Sequence, residues 1–145
     1  MQLSDHTDFG LRILMTLAGT SPRRWSAREL ADHHRLSFSH VQKVVQSLEA
    51  ADLVRTFRGR GGGVTLAGAA EDVTIGRVVR ALEPHMDLVR CFRDGESGCV
   101  LDGGCALAGV LREARSVFLE TLDAHTLDEM VARTPRAREL VVLPS

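Results

Sequence analysis

A mainly helical chain with one small β-wing is expected from three features. Apolar residues recur at helical spacing along most of its length. Ser26-Ala27-Arg28-Glu29 and Thr126-Leu127-Asp128-Glu129 are capping boxes that mark helix starts. Only residues 53–58 show a period of two, and they are followed by a glycine-rich tip and a short apolar run, Val64-Thr65-Leu66. The 145 residues suit one ordinary domain, and 44% apolar content with mean hydropathy −0.02 allows a buried core, which excludes a disordered tail. The longest uncharged runs, such as 13–22, span ten residues, against roughly twenty for a membrane-spanning helix. The opening MQLSDHTDFG lacks the basic and apolar regions of a signal peptide, so a cytoplasmic, membrane-free protein is expected.

Phe9, Ile13 and Leu17, with Leu14 beside them, predict a first helix that Gly19 and Pro22 end. The Ser26 box opens a short second helix over 27–34, and Arg35-Leu36-Ser37 forms a three-residue joint. A third helix carries Val41, Val44, Val45 and Leu48 on its core face. Leu53, Arg55 and Phe57 alternate with Val54, Thr56 and Arg58 in a strand that pairs with 64–66, giving a wing over about 53–66. After an Ala/Gly/acidic link at 67–72, Thr74 caps a helix with Ile75, Val78, Val79 and Leu82 that Pro84 ends. A long helix over about 106–123 bears Leu107, Val110, Leu111, Ala114, Val117 and Phe118, a stripe too wide for one short neighbour to cover. It is read as a dimerisation helix, with plain core packing as the alternative. A short helix stops before Pro135, and 136–145 form a loose tail.

Opposite the valines of the third helix lie Ser39, Lys43 and Gln46, flanked by His40 and Gln42. None is acidic, and each can donate to a phosphate or to a base edge in the major groove. Two helices joined by a tight turn fit a helix-turn-helix, although a plain helical hairpin with a solvated face would read the same way. The wing decides between them. Its tip, Arg58-Gly59-Arg60-Gly61-Gly62-Gly63, combines glycines that allow close backbone approach with arginines suited to phosphate or a narrow minor groove. A nucleotide-cradling loop would need a strand-to-helix order and a Lys-Ser/Thr pair, which are absent here. Residues 1–72 thus read as a winged helix-turn-helix for double-stranded operator DNA. Ser39, His40, Gln42, Lys43 and Gln46 face the major groove, Arg58 and Arg60 the minor groove, and Arg55 a phosphate. Charge agrees: residues 1–65 hold nine Lys+Arg against six Asp+Glu, whereas 66–145 hold nine against thirteen. No Ser/His/Asp triad or carboxylate pair points to an enzyme.

All three cysteines lie between 91 and 105 in a C-x7-C-x5-C arrangement with glycine-rich spacers. Structural zinc usually shows a tighter cysteine pair, whereas wider spacing suits an iron-sulfur cluster. Such a cluster normally wants four ligands, and His6, Asp8, His85, Asp94 and Asp102 are candidates for the fourth. Small buried thiols, an adventitious disulfide, a zinc protein and an electron carrier are the rival readings. Residues 73–135 therefore combine a cluster loop over about 86–105 with the long helix.

The segments HTDFGLRILMTLA, SARELADHHRLSFSHVQKVVQSLEAADLV, RGRGGGVTLA and VTIGRVVRALEP, with the spaced cysteines, resemble the bacterial family of winged-helix iron-sulfur regulators that includes the NsrR and IscR types. The likeness runs over residues 1–132 and is nearest to the nitric-oxide-sensing NsrR type. It implies that Cys91, Cys99 and Cys105 hold a 4Fe-4S cluster, with 2Fe-2S as the alternative, and that Asp8 of the opposite subunit of a homodimer completes it. IscR-type members use a histidine three residues after the third cysteine, a position held here by Ala108. The seven-residue first spacer is longer than in most relatives. The resemblance further implies a homodimeric repressor that binds DNA with its cluster intact and releases it on nitrosylation, derepressing nitric oxide detoxification genes. A sensor of iron-sulfur or redox status is the nearest rival.

Overall fold

The computed structural model describes residues 2–93, 98–101 and 103–135. Helix α1 (Asp5–Gly19) starts at Ser4, whose hydroxyl accepts from the Thr7 amide, and buries Ile13, Leu14 and Leu17. Helix α2 (Ala27–His34) opens on the expected box: Ser26 Oγ accepts from Glu29 N, and the Glu29 carboxylate accepts from Ser26 N. The chain then turns through Arg35 at φ 55°, and Ser37 caps α3 (Phe38–Ala50), which buries Val41, Val44, Val45 and Leu48.

Strand β1 (Val54–Phe57) pairs antiparallel with β2 (Gly63–Leu66), Val54 opposite Leu66 and Phe57 opposite Gly63. The simple alternation expected over 53–58 does not hold, because Leu53 and Val54 are both buried while Arg55, Thr56 and Phe57 are exposed. The helix-to-strand joint explains this. Asp52 takes φ 54° and Leu53 N donates to Leu48 O, so the chain is still tucked under α3 when the strand begins. On the far side of β2, Trp25 forms a single bridge to Val64, so a side chain at Gly63 would meet the Trp25 carbonyl at 2.9 Å. The Trp25 indole N–H donates to Thr20 Oγ1, which in turn donates to the Thr16 carbonyl, so this buried polar pair is satisfied.

Thr74 caps α4 (Ile75–Leu82), and α6 (Leu127–Arg133) opens on the second capping box. Leu127 N donates to Val73 O and Ile75 N to His125 O, which ties the starts of these helices together and lets α6 pack on α1. Helix α4 crosses α1 so closely that a Cβ at Gly10 would lie 2.2 Å from Leu82 Cδ1. Glu83, just past α4, accepts from Ser4 N, Ser4 Oγ and Thr7 Oγ1 at the start of α1. Burial pushes its carboxyl up, but these hydrogen bonds outweigh it and hold the pKa below the ordinary range.

Helix α5 (Ala106–Asp123) lies against α4, where Asp123 pairs with both Arg80 guanidinium nitrogens. Ala108 is its sole buried residue, while Leu107, Val110 and Val117 are 64%, 61% and 54% exposed. The expected stripe is there, and most of it faces outward. Among the described residues no helix is long and apolar enough to cross a membrane.

Candidate nucleic-acid interface and thiol loop

On α3, Ser39, His40, Gln42, Lys43 and Gln46 are all exposed, because the four apolar residues at i, i+3, i+4 and i+7 take the opposite side. Arg55, Arg58 and Arg60 are exposed on the hairpin. Gly59 and Gly61 take φ of 86° and 79°, which lets the tip fold back with Gly62 N donating to Gly59 O. Between helix and hairpin runs a groove of about 440 Å³, lined by Gln42, Gln46 and Glu49 of α3, by Phe57 to Gly59 and Gly62 to Val64, and by Ser26 and Ala27. Helix face and hairpin therefore border one concave surface.

Sequence reasoning did not single out three charged residues at this surface. Arg24 stacks 4.1 Å over the Phe57 ring and reaches the Gly61 carbonyl, bracing the hairpin tip. Arg28 sits 4.9 Å over Phe38 at the start of α3. Glu49 brings a carboxylate to a face taken as non-acidic; its position three residues after Gln46 was the available signal.

Cys91, Cys99 and Cys105 are free thiols. Both ends of their loop are anchored on α5. Cys91 lies in a short turn, Arg90–Phe92, whose Phe92 ring has the Arg112 and Arg115 guanidinium groups 5.1 and 5.3 Å away. Asp87 adds a 3.6 Å ion pair to Arg115. Cys105 is the residue before α5 and gives that helix no side-chain cap. It opens on a pocket of about 290 Å³ lined by Gly103, Gly104, Ala108 and Arg112. Cys99 lies exposed on the loop. The donor set suits iron or an iron-sulfur cluster, with soft sulfur ligands on a glycine-rich loop. Among the described residues, however, no three His, Cys, Asp or Glu side chains converge as a metal site. Asp8 pairs instead with Arg12, Nε to Oδ1 at 3.0 Å and Nη2 to Oδ2 at 2.5 Å. His85 lines a separate cavity of about 380 Å³ with Gln2, Leu3, Glu83 and Phe118. Asp94 and Asp102 lie outside the described residues.

A helix-turn-helix with a braced hairpin, followed by a long helix with an uncovered apolar face, defines a winged-helix transcriptional regulator. A sequence profile of the Rrf2 family, described as iron-dependent transcriptional regulators, matches residues 3–133, and the chain belongs to that family. It is 37% identical over 142 residues to the HTH-type transcriptional regulator NsrR of Shouchella clausii, covering 97% of this chain and 95% of that one. It is 39% identical over 132 residues to the NsrR of Bacillus subtilis, covering 90% of each. The structure of CymR, the global cysteine regulator of B. subtilis, superposes with TM-score 0.76 at 26% identity, covering 92% of this chain and 98% of that one. T. potens IscR shares the fold with TM-score 0.75 at 22% identity, covering 95% and 91%.

Proposed function

We propose that this chain is a homodimeric repressor that holds an iron-sulfur cluster and releases operator DNA when nitric oxide reacts with it. The observation that carries this reading is that three free cysteines share one loop ending at the start of α5, the helix whose apolar face lacks cover. The identity to NsrR-named regulators over nearly the whole chain supports the nitric oxide signal.

Cys91, Cys99 and Cys105 would hold the cluster, with Asp8 of the second subunit as fourth ligand. When bound, the cluster supplies an iron open to nitric oxide at the position of its weakest, carboxylate ligand. The chain's own part is to couple Asp8 to the reading head. Asp8 is on α1, which packs on α3: the Phe9 ring lies 6.3 Å from that of His40, and a Cβ at Gly10 would touch Val44. Its ion pair with Arg12 is an alternative engagement for the same carboxylate. A change in what Asp8 holds would thus act on a helix seated directly against the recognition helix, which is the link between two sites that an allosteric switch needs. Ser39, His40, Gln42, Lys43 and Gln46 would read bases, Arg58 and Arg60 the minor groove, and Arg55 a phosphate, in a cytoplasmic protein.

Metal and sulfide analysis of anaerobically purified protein should find iron and sulfide, and a gel shift should show DNA released as nitric oxide is titrated in. Asp8→Ala should lose DNA affinity while Cys91, Cys99 and Cys105 still take up iron. One zinc per chain without sulfide would refute the cluster; DNA binding indifferent to nitric oxide but sensitive to iron supply would favour the iron-sulfur status sensor.

A further inference from the structure

We infer that Glu49 is a positioning residue for DNA binding, its carboxylate setting the angle of the wing against the recognition helix. This rests on the DNA-binding reading above and adds to it an acid that strengthens the grip on a polyanion. Glu49 Oε1 accepts from the Thr56 backbone amide at 3.1 Å and from the Thr56 hydroxyl. Thr56 stands opposite Val64, whose own N–H and C=O both turn away to Trp25. The Thr56 amide therefore points off the outer edge of the sheet toward α3, where Glu49 satisfies it. The anchor lies two residues before Arg58 and four before Arg60, on the strand that launches the tip. Arg24, stacked on Phe57 and bonded to the Gly61 carbonyl, holds the hairpin from the other side.

Charge and position make opposite predictions for the same substitution. Glu49 lines the groove between α3 and the wing, and a carboxylate facing phosphates there repels them, so on charge alone its removal strengthens binding. If its work is to hold the wing, removal lets Arg58 and Arg60 wander and binding weakens. Glu49→Gln separates the two, because the amide oxygen still accepts from Thr56 without the charge.

The test uses the full-length chain, prepared anaerobically, with a duplex that the wild-type protein enriches from a random-sequence pool and a shuffled duplex of equal length. Glu49→Ala should bind the enriched duplex about tenfold more weakly, and Arg60→Ala should cost far less in that background than in wild type, the non-additivity of two residues on one device. Glu49→Gln should keep or improve affinity. Amide exchange at Thr56 should quicken in Glu49→Ala alone, with the thermal midpoint little changed. Glu49→Ala binding as tightly as wild type or tighter, with the full Arg60→Ala cost intact, overturns the proposal. A wild-type chain that enriches no duplex overturns the DNA reading beneath it.

Discussion

His34 is half-buried where α2 meets α1, with Nε2 3.0 Å from Thr16 Oγ1. Burial first, then the nearby charges of His33 and Arg12, pulls its pKa down to about 4. An unfolded histidine titrates near 6.5. Between about 4 and 6.5 the unfolded chain therefore binds more protons than the folded one, and stability falls as pH drops across that window. Glu83, with its pKa held low, adds a second loss as pH falls through the acid range below the ordinary glutamate value of 4.5. Urea midpoints measured from pH 7 to pH 5 should decline in wild type and flatten in His34→Gln, which keeps a partner for Thr16; equal slopes would contradict the assignment. Residues of this kind show how far sequence reasoning reaches. Ser26, Ser37, Thr74 and Thr126 were legible as caps or joints because a cap and its target are three residues apart. Glu49 was not, because its partner Thr56 is reached only after the chain has reversed through Asp52.

At the level of elements, the helices were legible because each carries an apolar face with period 3.6, and the hairpin because its glycines mark a reversal. The strand pattern failed at Leu53 and Val54, where packing under α3 overrode alternation. The thiol loop was legible as a set of sulfur donors but not as geometry, since spacing names the donors without saying how the loop arranges them. The α4–α5 contact was invisible for a related reason. No pattern in the sequence marks Gly76, yet a Cβ there would lie 2.1 Å from Asp123 Oδ1 and 3.0 Å from Arg80 Nη1. Gly76→Ala therefore sets two effects against each other. Alanine favours the helix by about 1 kcal/mol, while the Arg80–Asp123 pair it displaces is solvent-exposed and adds little to stability. The global thermal midpoint should barely move, but α5 should lose its anchor, seen as faster amide exchange over its last turns. Unchanged exchange there would show that Thr74 and the packing of α4 hold α5 without the ion pair.

For the whole molecule, the question is what covers α5. Leu107, Val110, Ala114 and Val117 fall at 3-, 4- and 3-residue steps along an exposed face, the spacing of a coiled-coil seam. A second copy of the same helix, related by a two-fold axis, would cover it. It would also place two winged heads for two half-sites and bring each Asp8 within the same assembly as the other chain's cysteines. Val110→Glu with Val117→Glu tests this without disturbing the monomer, because both side chains point outward in the single chain. In a dimer each glutamate would be buried without a partner, at a cost of several kcal/mol per ion. Sedimentation should show wild-type dimers and variant monomers with the same helical circular dichroism. The variant should bind a two-half-site duplex much more weakly than wild type and a single half-site about equally. A variant that still sediments as a dimer would place the seam elsewhere. A wild-type monomer that binds DNA would separate the reading head from any partnership through α5.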